Sequence, residues 1–147
     1  MKKLIGFIVL LFIGLTTVFS QKTEIFTVNG KAIRGYDVVA FFSESKPVQG
    51  NENFSYTWKD ATWLFSSQEN LELFKTNPEK YAPQYGGYCA YGMSSGYKAS
   101  TVIETWKILN DKLYFNYNQK VQELWNKDQV GYIQKADINW VKVRNKE

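Results

Sequence analysis

Hairpins followed by helices predict an α+β fold: a small antiparallel sheet of hairpins with short helices packed on it, in a single domain. Three observations carry this expectation. Asn29-Gly30, Lys59-Asp60 and Asn110-Asp111-Lys112 each lie between runs of strand composition and read as turns, and Asn29-Gly30 is the strongest short hairpin signal. Phe54, Tyr56 and Trp58 alternate with Ser55 and Thr57, the period of a strand with two distinct faces. After Ser66, and again after Asn118, the apolar spacing lengthens to that of an amphipathic helix. Hairpins and helices in succession give α+β layers.

The first twenty residues read as a secretory signal peptide. Lys2 and Lys3 form a basic start, residues 4–18 are mainly apolar, and Val18 and Ser20 place small residues before a cleavage point between Ser20 and Gln21. The competing reading is an uncleaved anchor, but a stable span needs about 20 apolar residues, more than this run offers. No cysteine follows the apolar run, so a lipoprotein anchor is not expected. The expectation is a periplasmic or secreted protein, residues 21–147, with no stable membrane span after cleavage. Loss of Lys2 and Lys3 leaves sixteen basic residues against fourteen acidic ones. With no dense Lys/Arg run, nucleic acid is not an expected partner.

The elements follow in order. Residues 25–28 read as a strand, Asn29-Gly30 as a turn, and residues 31–33 as the return. Residues 38–42 (Val-Val-Ala-Phe-Phe) are continuously apolar, which predicts a buried strand or a short buried segment. Residues 43–53 are polar, with Pro47 and Gly50, and predict a surface loop. Residues 54–58 and 61–65 predict a hairpin. Ser66, three residues before Glu69, has capping-box spacing and predicts a helix start; Leu71 and Phe74 would face the sheet. Asn77-Pro78 ends that helix and opens a short one in which Tyr81 packs inward. Gly86, Gly87, Gly92 and Gly96 predict unusual dihedrals or close backbone approach, not a regular helix. Residues 106–117 form another hairpin. Asn118 caps a helix bearing Val121, Leu124 and Trp125, and a last helix carries Ile133, Ala136, Trp140 and Val141 on one face. With five Trp, ten Tyr and ten Phe, even so short a chain can build a substantial core.

The chain has one cysteine, Cys89, and no histidine. Triads and dyads built on imidazole are therefore closed to it. No phosphate-binding glycine loop is present, and an internal disulfide is impossible. Cys89 is a buried apolar thiol, a reactive thiol, or a ligand shared with a metal or a partner. A thiolate and a thioether suit Cu(I), so Cys89 with Met93 is the candidate metal pair. On a straight strand they would lie about 13 Å apart, so the pair requires the chain to bend at Gly92.

Residues 56–67 (Tyr-Thr-Trp-Lys-Asp-Ala-Thr-Trp-Leu-Phe-Ser-Ser) continue to Asn77-Pro78-Glu79-Lys80-Tyr81. This stretch resembles the YHS domain, with its strand–turn–strand, its aromatic–Phe–x–Ser ending, its short helix and its Asn/Asp-Pro-x-x-Tyr close. Residues 35–42 and 86–90, the hairpin from Trp106, and Lys135, Ala136, Asp137 and Trp140 are similar to the exported, stand-alone branch of the family. The resemblance implies a link to heavy metals, copper and silver among them. The family's metal role is assigned to cysteines in an Asp-Pro-Val-Cys-like motif and a Phe-Cys-Ser-x-x-Cys-like motif. The matching segments here are Asp37-Val38-Val39-Ala40 and Phe65-Ser66-Ser67-Gln68-Glu69-Asn70, with no cysteine in either. Those ligands are not carried over.

Two functions follow as expectations. One is an exported binding domain that takes a soft metal such as Cu(I) through Cys89, with Met93 or a periplasmic protein supplying the second ligand. The other is a module without metal that binds a small apolar ligand or a protein through an aromatic groove near Tyr36, Asp37, Tyr88, Tyr91 and Tyr97. Neither is an enzyme.

Overall fold

The structure, a computed structural model, describes residues 23–146. The expected leader and its cleavage point lie outside the described residues. Three hairpins share one turn chemistry. Strands β1 (Thr27–Val28) and β2 (Lys31–Ala32) join through Asn29 and Gly30, both at positive φ. Strands β3 (Asn51–Trp58) and β4 (Ala61–Phe65) join through Lys59 and Asp60, at φ of 49° and 57°. Strands β5 (Lys107–Leu109) and β6 (Lys112–Tyr114) join through Asn110 and Asp111, at 50° and 58°. Two consecutive positive φ values define the turn whose twist matches the flanking strands.

The main sheet runs β1-β2-β4-β3, and β5-β6 forms a separate ribbon. One pairing departs from the expected antiparallel pattern: β2 meets β4 in parallel at Lys31 and Thr62. The cause is residues 38–42. They form a short buried helix, α1 (Val38–Ser43), so of the two expectations the short buried segment holds and the strand does not, and the chain crosses over through α1 before β3 and β4 return. The apolar run reads as a strand because its burial is continuous. Asp37 decides otherwise, since its Oδ1 accepts from the Val39 and Ala40 N–H groups and caps a helix start. The expected loop over residues 43–53 is correspondingly shorter, because β3 already begins at Asn51.

Helix α2 (Gln68–Thr76) is capped by Ser67, one residue later than expected; Ser67 Oγ accepts from Asn70 N–H. Ser66 is not available for that role because its hydroxyl and its N–H both donate to Asp37. Leu71 and Phe74 face inward as expected. Pro78 opens α3 (Pro78–Tyr81), which buries Tyr81. Gly86 and Gly87 have positive φ, and a Cβ on Gly86 would collide with the Glu24 carbonyl oxygen at 1.8 Å. Gly92 departs from expectation and lies inside a short helix, α4 (Ala90–Ser94). Helix α5 (Gln119–Asn126) is capped by Asn118, and α6 (Gln129–Val143) by Asp128. Val141 was expected on the inner face of α6 and is exposed; Tyr132, Ile133, Ala136, Trp140 and Val143 are the packed residues. The inner face centres on Ala136, and Val141 is turned far from it. Leu124 of α5 also reaches the surface.

Two apolar clusters result. The first holds Val39, Phe41, Trp63, Phe65 and Phe74, with the Phe74 ring 4.9 Å from Trp63 and 5.1 Å from Phe65. The second holds Tyr85, Met93, Tyr114, Trp125 and Ala136. Strand alternation joins them: Leu113 and Phe115 enter the first cluster, while Tyr114 between them enters the second. The clusters share this strand, so the described residues make a single α+β domain.

Asp37 ties the first cluster together. Its carboxylate is fully buried and accepts five hydrogen bonds: from Val39 and Ala40 N–H, from Ser66 N–H and Oγ, and from Asn70 Nδ2. Asp37→Ala would strand these donors in the interior, and a loss of about 3–5 kcal/mol is expected. The check is a lower urea midpoint with unchanged slope, and an intermediate midpoint for Asp37→Asn, which keeps one acceptor oxygen.

Candidate functional site

Cys89 follows the tight Tyr85–Gly87 turn and caps α4. Its backbone is fixed on two sides, by N–H donation to the Ala99 carbonyl at 3.0 Å and by a parallel bridge to Phe115. Its side chain is 1 % exposed. The sulfur accepts from Gly92 N–H at 3.4 Å and Tyr117 N–H at 3.3 Å, and the thiol donates to Asn116 Oδ1 at 3.5 Å. The bonding capacity of a thiol is thereby used in full. Burial pushes the thiol above its ordinary value of 9.0, and the N–H donors from Gly92, Tyr117 and Tyr91 oppose that rise only in part. The neutral thiol is therefore the native form, which works against nucleophilic and soft-ligand roles alike.

Asn116 is the less obvious member of the site. It is fully buried, and its Oδ1 also accepts from Tyr91 N–H at 3.1 Å. That bond fixes which way the amide points, and Nδ2 is left without a partner. Buried polar atoms are nearly always paired; the other buried side-chain donor without a partner among the described residues is Trp125 Nε1, in the second cluster.

A concavity of about 280 Å³ opens above Cys89, lined by Tyr91, Gly92, Tyr97, Ala99, Tyr117 and Val121. Its rim is aromatic and reaches solvent: Tyr97 is 55 % exposed and Tyr117 51 %. Gly92 shapes one wall, since a Cβ there would sit 3.1 Å from the Tyr97 ring. The volume lies just below the range typical of small-molecule pockets, about 300–1,000 Å³, and suits one ring or one short aliphatic chain.

The expected ligand contacts do not share one surface. Tyr91 and Tyr97 line the concavity. Tyr36 packs on the first cluster, and Asp37 is consumed by the network described above. Tyr88 is buried, with its hydroxyl donating to the Thr23 carbonyl. The two expected metal ligands also part: Cys89 faces Asn116 and the concavity, whereas Met93 is buried in the second cluster. Sequence reasoning missed Tyr117, Ala99, Val121 and Asn116 as site residues. They reach Cys89 only through the Phe115 bridge and the Ala99 carbonyl, pairings between distant segments that no local pattern announces.

Residues 39–85 match the family model for the YHS domain. The chain contains a YHS domain. No curated protein and no solved structure gives a significant match. The matched segment spans α1 to the turn before Tyr88 and supplies most of the first cluster. Every residue of the concavity lies after it.

The metal role that the resemblance implies can be tested against the donors of this YHS domain. Ala40, Ser66 and Asn70 stand at the cysteine positions of the two motifs. The fold does bring the two motifs together, with Asp37 Oδ2 accepting from Ser66 Oγ at 2.7 Å and Asn70 Nδ2 at 2.8 Å. Their polar atoms are already spent on one another, and none is sulfur. Among the described residues, no three Cys, Asp, Glu or His side chains group to hold a metal ion. The family's soft-metal donor set does not fit here.

Tyr85 and Tyr114 share the behaviour of Cys89. Burial raises Tyr85, whose hydroxyl also donates to Asp137 at 2.8 Å, and burial with the Asp137 charge pushes Tyr114 up to about 12. For all three groups the folded state holds its proton more tightly than the unfolded chain. Their contribution is complete below the unfolded value and is lost as pH rises through the folded one. Thermal melts should show Tm falling as pH passes 9.0 and then 10.0 towards about 12. Cys89→Ala should flatten the first part of the fall and Tyr85→Phe the second.

Proposed function

We propose that this protein is an exported, non-catalytic binding module whose ligand is a small apolar or aromatic group seated over Cys89. The observation that carries the reading is the pairing of two half-exposed tyrosines, Tyr97 and Tyr117, around a concavity. Exposed aromatic rings are costly to keep in water unless something covers them. The rigid floor supports the same reading. Cys89 and Asn116 are fixed by the hydrogen bonds described above, so the concavity is preformed and its ligand meets little ordering cost. Export rests on the leader in residues 1–20.

The soft-metal reading keeps one supporting observation: an ion entering the concavity would meet the Cys89 sulfur. It must displace a proton that burial holds in place, and it must do so without Met93.

One titration separates the two. Indole and p-cresol, added to isotope-labelled protein, should shift the amide resonances of Tyr91, Gly92, Tyr97 and Tyr117 together. Filling the concavity with Ala99→Leu should abolish those shifts while the melting curve stays intact. Shifts scattered over the surface, or unchanged in Ala99→Leu, refute the aromatic site. Anaerobic Cu(I) titration against a competing chelator is the second arm. Uptake that vanishes in Cys89→Ser would replace the aromatic reading with the metal one.

A further inference from the structure

The outer face of α6 is apolar and has nothing packed on it among the described residues. Val130, Ile138 and Val141 are 64 %, 61 % and 75 % exposed. At about 100° per residue they fall within about 80° of one another, with Gln134 between them. Lys135 and Lys142 lie along one edge of this stripe, and both are exposed. Asp137, also exposed, lies at the opposite edge of the stripe, where it accepts from the Tyr85 hydroxyl. An aliphatic stripe bordered by lysines has the chemistry of a helix lying flat on an anionic lipid surface, aliphatics in the interface and ammonium groups among the headgroups.

Lys98 Nζ donates to the carbonyls of Arg144 and Lys146 at 2.9 and 2.8 Å, and to that of Thr23 at 3.3 Å. A cation is well placed at a helix C-terminus, and here it also holds Thr23 beside the end of α6. No described helix is long and apolar enough to cross a membrane, so contact through α6 is peripheral.

We infer that the Val130, Ile138 and Val141 face of α6, with Lys135 and Lys142, docks the domain reversibly on an anionic membrane surface. The test uses the chain from Gln21 onward, which contains both apolar clusters, with vesicles of phosphatidylcholine alone and mixed with phosphatidylglycerol. Co-sedimentation with the mixed vesicles alone is expected, weakening as salt rises. Each lysine should be worth about fivefold in affinity, so Lys135→Gln with Lys142→Gln should weaken binding roughly 25-fold. Ile138→Ser with Val141→Ser should reduce it at least as much, whereas Leu73→Ser, at an exposed position on α2, should leave it unchanged. All these positions are exposed, and unchanged circular dichroism confirms the fold. Binding to neither vesicle, or binding indifferent to the α6 variants, overturns the inference. So does a dimer in light scattering that Ile138→Ser with Val141→Ser dissolves, since a second copy would then be what covers the face. Failure of the indole titration would leave this result untouched, because α6 presents its other side to the second cluster.

Discussion

Asp37 is the constraint on which the first half of the molecule depends. A buried carboxylate without a cationic partner is tolerable only if hydrogen bonds replace its hydration. Here five donors do so, and they come from three different places: the start of α1, the end of β4 and the first turn of α2. The geometry that satisfies the charge is therefore also the geometry that docks α1 against the hairpin. With α1 fixed, Phe41 meets Phe115 at 5.5 Å and Trp106 at 5.4 Å, and the second ribbon is positioned by those rings. The route from one carboxylate to the concavity then runs through a single strand. Phe115 packs on Phe41 and at the same time bridges to Cys89.

This reframes the two motifs that resemble the family's cysteine-bearing segments. Their proximity in space survives in this chain, while their chemistry has changed from sulfur to a carboxylate with hydroxyl and amide donors. A soft ion gains little from such groups, and both Asp37 oxygens already accept hydrogen bonds. What a metal would do for the fold, holding α1 to the β4–α2 junction, Asp37 does by hydrogen bonding. The lone thiol lies elsewhere, after the matched segment, and answers to different neighbours.

The legible part of the fold was the part set by neighbours in sequence. Asn29-Gly30, Lys59-Asp60 and Asn110-Asp111 are turn pairs because of backbone requirements at those residues alone, and all three hairpins are where the sequence places them. Leu71, Phe74 and Tyr81 are likewise inward by simple periodicity. The misreadings have both local and distant causes. Residues 38–42 carry strand composition, but the Asp37 cap and burial on every side make them a helix. Ser66 has capping-box spacing, yet Asp37 claims it across 29 residues and moves the cap to Ser67. Val141 shares the spacing of an inner face whose true centre, Ala136, is fixed only by what α6 packs against.

The site shows the same division more sharply. Cys89, Tyr91 and Tyr97 are visible in the sequence because they crowd one glycine-rich stretch. Tyr117 and Asn116 are not, because they arrive from the far side of a hairpin. Yet those two settle the chemistry. Tyr117 N–H and Asn116 Oδ1 occupy the thiol, and the Tyr117 ring supplies the second half of the aromatic rim. A cysteine judged from its own segment looks like a free soft ligand. Judged with the strand beside it, it is a neutral, fully bonded floor beneath an apolar cup.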